Sequence, residues 1–132
     1  MEFRINTASR LPIYQQLAHQ IREGIARGKL REAERLPSVR ELSQKLVVNP
    51  NTVARVYTEL ERDGVLYTRP GLGVFVAAPR AELTRKARHN RLSELLTKLL
   101  TEAVHLGFSA DEVVEMVVEE AKRFRWDVAA SR

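Results

Sequence analysis

Cysteine is absent from the 132 residues, which excludes a disulfide framework, a thiolate metal site and a thiol nucleophile. Long apolar runs are missing too. No stretch approaches the roughly 20 residues needed to span a bilayer, and Met1-Glu2-Phe3-Arg4 lacks the apolar core of a signal peptide. The chain therefore reads as cytoplasmic, with no membrane partner. Histidine is scarce: His19, His89 and His105 are scattered rather than paired at metal-binding spacing. No metal and no cofactor is expected. Gly71-Leu72-Gly73 is too short for a phosphate-binding loop, and it does not lead from a strand into a helix. No nucleophile stands beside a base, so catalysis is not expected.

What is present is positive charge. The formal net charge is +5, which favours polyanionic partners. The excess is uneven. Up to Ala77, twelve lysines and arginines face eight acids, and beyond it ten face nine.

The first helix opens at Leu11-Pro12, with Ile13, Leu17, Ala18, Ile21 and Ile25 as its apolar stripe and Gly28 as its stop. A polar connector, Lys29 to Arg35, leads to Leu36-Pro37. Ser38 and Glu41 make a capping box for a short second helix that buries Val39, Leu42 and Leu46. Asn49 caps a third helix with Pro50 at its first position, Val53, Val56, Tyr57 and Leu60 inside, and Gly64 at its end. Val65–Thr68 and Gly73–Val76 flank a Pro/Gly turn and predict a hairpin. Three helices and a hairpin in this order make a winged helix-turn-helix, assigned to residues 1–77 within a mainly α chain.

Residues 78–132 predict a two-helix tail. Leu92, Leu95, Leu96, Leu99, Leu100, Ala103 and Val104 form the apolar face of a long helix ending near Leu106. Ser109 and Glu112 cap a second helix carrying Val113, Val114, Met116, Val117 and Val118 up to Phe124 and Trp126. Two helices cannot close a core of their own. The leftover apolar surface packs either on the winged helix or on a second copy of the chain, and its size favours a homodimer through Leu92, Leu95, Leu96, Leu99, Leu100, Val113, Val114 and Val117.

The partner that fits the first domain is double-stranded DNA. Asn51, Thr52 and Arg55, with Asn49 at the cap, offer amide, hydroxyl and guanidinium groups to base edges in the major groove. For Arg55 the plainer alternative is an i,i+4 pair with Glu59. Ser38 and Arg40, at the start of the second helix, suit a phosphate, although Ser38 also serves as an N-cap. Arg69, Gly71 and Gly73 at the hairpin tip suit the minor groove or its sugar-phosphate wall, the plain alternative being that the glycines only make the turn. The cluster Arg80, Arg85, Lys86, Arg88 and Arg91 reads more simply as a solvated helix face than as a phosphate contact.

Four ordered motifs now carry a resemblance. Pro12-Ile13-Tyr14-Gln15-Gln16-Leu17, Leu36 to Leu42, Asn49 to Tyr57 and Gly71 to Val76 together resemble the GntR family of bacterial transcription regulators, and the short helical tail resembles its YtrA subfamily. The resemblance implies a dimeric winged-helix repressor whose tail helices pair the subunits. Its operator would be an inverted repeat, often near a transporter operon. Arg40, Asn51, Thr52 and the Gly71 wing would touch DNA, whereas related subfamilies place an arginine one position before Arg55, where this chain has Ala54. Any effector is unidentified and would act through the tail.

The chain departs from the family at three turns. Glu32-Ala33-Glu34 stands where Pro-Gly-Asp is usual, and a turn of different shape is expected because Ala33 lacks glycine's freedom. Val47 replaces a frequent glycine between the second and third helices. Leu72 replaces a basic residue at the wing, which weakens the expected minor-groove contact. Two other function classes remain on the sequence alone: a protein-interaction adaptor and a DNA-coating protein without sequence preference.

Overall fold

The structure, a computed structural model, describes residues 1–78 and 85–126. Among them lie α1 (Ile13–Ala26), α2 (Val39–Leu46), α3 (Pro50–Arg62), β1 (Leu66–Arg69), β2 (Gly73–Val76), α4 (Arg85–His105) and α5 (Ala110–Ala121). They belong to two compact units, Met1–Pro79 and Arg80–Arg132. The first is a winged helix-turn-helix and the second a short helical region.

α1 begins one residue later than expected. Pro12 is its cap, and the Pro12 carbonyl accepts the N–H groups of Gln15 and Gln16 at 3.0 and 3.1 Å. The stripe on α1 buries Leu17 and Ile21 completely, against Leu42 of α2 and Val53, Val56 and Leu60 of α3 in one apolar cluster. α2 and α3 start as their caps dictate, with a full capping box at Ser38 and Pro50 in the first turn after Asn49.

The helix ends share one device. α1, α3 and α4 each close through a left-handed glycine: Gly28, Gly64 and Gly107 have φ of 79°, 77° and 85°. The N–H groups of that residue and the next return to the last turn, as in Gly64 to Glu61 and Val65 to Leu60. α2 closes without glycine. Val47 takes φ 54° and ψ 51°, and Val47 and Val48 both donate to the Ser43 carbonyl. The turn therefore keeps a left-handed residue where a β-branched side chain is poorly suited. Ala33 likewise takes φ 67°.

Two features escaped the sequence reading. The connector read as polar coil is tied to β2 of the wing by an isolated β-bridge and flanking backbone bonds. Ala33 and Leu36 donate to Val76 and Val74, and Val76 donates back to Glu34, with Arg35 facing Phe75 as a bridge. These bonds hold Ala33 in its left-handed conformation. The N-terminal arm is also built in: Phe3 is buried in the core, and two glutamine side chains on α1 imitate a strand beside it. Gln16 accepts the Asn6 N–H at 2.9 Å and donates to the Asn6 and Leu11 carbonyls, while Gln20 pairs both ways with the Arg4 backbone.

β1 and β2 are antiparallel in the register Leu66↔Val76 to Arg69↔Gly73. β1 is shifted by one residue from the expected strand, because Val65 closes α3 instead. The alternation puts Leu66 and Val76 into the core and stacks Tyr67 on Phe75 on the opposite face, with ring centroids 5.6 Å apart.

In the second unit, α5 carries the expected Ser109–Glu112 capping box. It does not continue to Trp126. It stops at Ala121, whose carbonyl accepts the Trp126 indole N–H at 2.7 Å. Leu92, Leu95, Leu96, Leu99 and Leu100 of α4, with Val114 and Val117 of α5, lie exposed. Val113 departs from that set. Only 8% of it is accessible, so it is not part of the free face.

Candidate nucleic-acid interface

The first turn of α3 is open to solvent on one side, while the other side of the helix is anchored in the core. Val53, Val56 and Leu60 are fully buried, which leaves Asn51 exposed and Thr52 half-buried on the outer side. Among the described residues neither side chain has a hydrogen-bond partner, so an amide and a hydroxyl are presented together. Ala54, half-buried between them and Arg55, adds no bulk. Asn49 is already employed: its Oδ1 accepts the Asn51 N–H at 2.8 Å. Only its amide donors remain for a ligand.

Arg55 is held at the Nε edge and on one face of its guanidinium group. Its Nε donates to Glu59 Oε1 at 3.1 Å, and its central carbon lies 3.7 Å from the centroid of the Tyr14 ring. The hydrogen bond it donates to Glu59 comes first among the influences that raise its already high pKa. The Glu59 pair expected as the plain alternative is therefore formed, and Tyr14 is added to it. Tyr14 did not stand out as a site residue. Nothing in the sequence places the start of α1 beside the middle of α3.

At the start of α2 the capping box consumes two of the four free N–H groups. Ser38 Oγ accepts from the Glu41 N–H, and Glu41 Oε1 accepts from the Ser38 N–H, both at 3.0 Å. These bonds, backbone first, hold the Glu41 carboxyl below its ordinary pKa, with a smaller contribution from Arg35 at 4.0 Å. The Val39 and Arg40 N–H groups and the exposed Arg40 guanidinium remain for an anion.

The wing tip is Pro70-Gly71-Leu72. The Leu72 N–H donates to the Arg69 carbonyl at 2.9 Å, and Gly71 has φ 76°, the pattern of a type II turn with proline then glycine at its centre. A side chain at Gly71 would meet nothing within 4 Å, so glycine serves the turn's conformation there. Gly73 is not at the tip. It pairs with Arg69 at the base of the turn, and an added Cβ would lie 2.9 Å from the Nε of Arg35, which crosses it. Arg69 is exposed and carries the positive charge of the wing, while Leu72 places an exposed apolar side chain at its tip. In the basic cluster, Arg85, Lys86, Arg88 and Arg91 form the exposed start of α4. Arg80 lies outside the described residues.

Comparison with known proteins bears on this surface. The family model described as bacterial regulatory proteins, gntR family, matches residues 13–76. The HTH-type transcriptional repressor YtrA of Bacillus subtilis is 32% identical over 116 residues, covering 88% of this chain and 89% of that protein. A solved structure described as a transcriptional antiterminator from Listeria monocytogenes EGD-e superimposes with a TM-score of 0.78 at 36% identity, covering 92% of this chain and 90% of the other. The AraR DNA-binding domain in complex with operator ORX1 matches with a TM-score of 0.53 at 28% identity, over 58% of this chain and 99% of that domain.

Proposed function

The chain belongs to the GntR family of DNA-binding transcriptional regulators, and from that premise we propose that it is a cytoplasmic homodimeric repressor of the YtrA type that binds an inverted-repeat operator, of a transporter operon. The observation that carries this reading is the pair of unpartnered side chains, Asn51 and Thr52, on the outer side of the first turn of α3. The AraR domain bound to its operator supports the use of this fold on duplex DNA. Each subunit lays α3 in the major groove, with the two half-sites about 34 Å apart, one helical turn, or a multiple of it.

The roles then divide by chemistry. Asn51 reads a base, adenine being the partner its amide suits, and Thr52 reads beside it. Ser38 and Arg40 hold a phosphate at the start of α2 and set the register. Asn49 offers its amide to the same strand. Arg69 and Gly71 approach the minor groove from the wing, with Gly73 acting only to let Arg35 cross.

Selection of bound duplexes from a random pool, followed by salt titration on a selected and a scrambled duplex, tests the reading. A regulator keeps a preference of roughly 4–10 kcal/mol for the selected sequence at physiological salt. Equal affinity for both makes the protein a DNA coat, and no binding makes the winged helix an adaptor. Arg40→Ala weakens both duplexes alike, whereas Asn51→Ala relaxes the preference at one position.

A further inference from the structure

Arg55 differs from its neighbours on α3 because its conformation is set before any ligand arrives. The Tyr14 ring packs against the core cluster and supplies a fixed platform. The guanidinium lies on that platform, and Glu59 takes its Nε edge. The two terminal nitrogens are left at the opposite edge, with the Arg55 side chain 55% exposed. The Tyr14 hydroxyl lies within hydrogen-bonding influence of the same guanidinium. It accepts from Gln15 Nε2 at 3.1 Å and so keeps its own proton to donate. The free edge of this group therefore consists of N–H and O–H donors, which suits an oxyanion. The major-groove edge of guanine also offers two acceptors, so the choice between phosphate and base rests on where the group lies.

Its direction favours the phosphate. Glu59 draws Arg55 toward the C-terminal half of α3, and Tyr14 draws it sideways to α1, away from Asn51 and the helix tip where bases are read. We propose that Tyr14 and Arg55 form a clamp for one DNA phosphate, bridging α1 and α3. In it Tyr14 both positions the guanidinium and donates its hydroxyl to the phosphate. Arg55 thus contributes affinity and register, and no base preference. This rests on α3 occupying the major groove.

The test uses the full chain on the selected and scrambled duplexes, titrated from about 50 to 200 mM salt. Arg55→Ala lowers affinity for both duplexes by about tenfold and reduces the salt slope by about 0.9, the signature of one lost phosphate contact. Tyr14→Phe keeps the ring and the slope but loses about threefold on both, the effect of one hydrogen bond. Tyr14→Leu removes the platform as well and approaches the Arg55→Ala loss. Because Tyr14→Phe leaves the packing intact, the hydroxyl is tested even if Tyr14→Leu folds poorly. A change in base preference at one position in Arg55→Ala, with the slope retained, overturns the clamp. Wild-type affinity in Tyr14→Phe overturns it also. Asn51→Ala separates this from failure of the groove reading: if it too leaves base preference unchanged, the premise has failed rather than the clamp alone.

Discussion

The Tyr57 hydroxyl donates to the Pro37 carbonyl at 2.6 Å, tying the middle of α3 to the residue before the Ser38 cap of α2. This bond holds the two helices of the reading head at a set separation, one from its inner face and the other from its start. Burial, and secondarily the Glu41 charge, push the Tyr57 phenol above its ordinary value of 10.0. A raised folded-state pKa means stability fully present below the unfolded value and lost as pH rises above it. Tyr57→Phe leaves a carbonyl unsatisfied and lowers stability by about 1–3 kcal/mol in urea unfolding near neutral pH. The variant also loses part of the wild-type decline above about pH 10. An unchanged midpoint would show that the bond contributes nothing.

Val47 invites a substitution in the opposite direction. The residue is 89% exposed and its backbone is left-handed, so it loses conformational energy without gaining burial. A left-handed non-glycine residue costs roughly 1–2 kcal/mol, partly offset by glycine's greater flexibility in the unfolded chain. Val47→Gly raises stability by about 0.5–1 kcal/mol on that balance. Urea denaturation of the full chain measures it, and a destabilised variant would falsify the assignment of strain to this turn.

Acid acts on the two capping boxes. Glu41 and Glu112 are both held below their ordinary pKa of 4.5 by bonds to the Ser38 and Ser109 backbones first and hydroxyls second. A depressed folded-state pKa gives stability present above the unfolded value and lost as pH falls through the folded one. Both helices should therefore loosen as the pH drops below 4.5. In Glu41→Gln and Glu112→Gln the amide keeps a hydrogen bond but cannot titrate. Unfolding midpoints measured from pH 7 down to pH 3 should fall less steeply in the double variant than in the wild type. Parallel curves would exclude the caps as the source.

Helix starts and stops were legible because each depends on residues within one turn: Ser38 with Glu41, Asn49 with Pro50, and glycine after the last turn. Asn51 and Thr52 were legible for the same reason, being placed by the cap beside them. Features set by distant partners were not. The bridge from the connector to the wing rests on a few residues around Arg35, too short to show alternation. Gln16 and Gln20 looked like polar surface until the arm carrying Phe3 lay along them. Arg55 could be paired with Glu59 from spacing alone, whereas Tyr14 required the packing of α1 on α3. Val113 followed the apolar pattern of α5, but pattern does not say which apolar side chains end up buried.

The apolar face of the second unit supplies the remaining prediction. Leu95, Leu96, Leu99 and Leu100 are between 44% and 56% exposed on α4, a row of large apolar side chains that a single chain leaves in water. Pairing two copies along it makes binding of the second half-site intramolecular, at an effective concentration on the order of millimolar. Leu96→Asp with Leu99→Asp places charge in the middle of that row, where the side chains are exposed in the monomer, so the chain still folds. Sedimentation should give a dimer for the wild type and a monomer for the double variant. Operator affinity should fall by about a hundredfold or more, while binding to a single half-site stays at the level of the wild-type chain. A monomeric wild type at micromolar concentration would remove the two-fold reading head. Loss of half-site binding as well would mean that the substitutions damage the fold rather than the pairing.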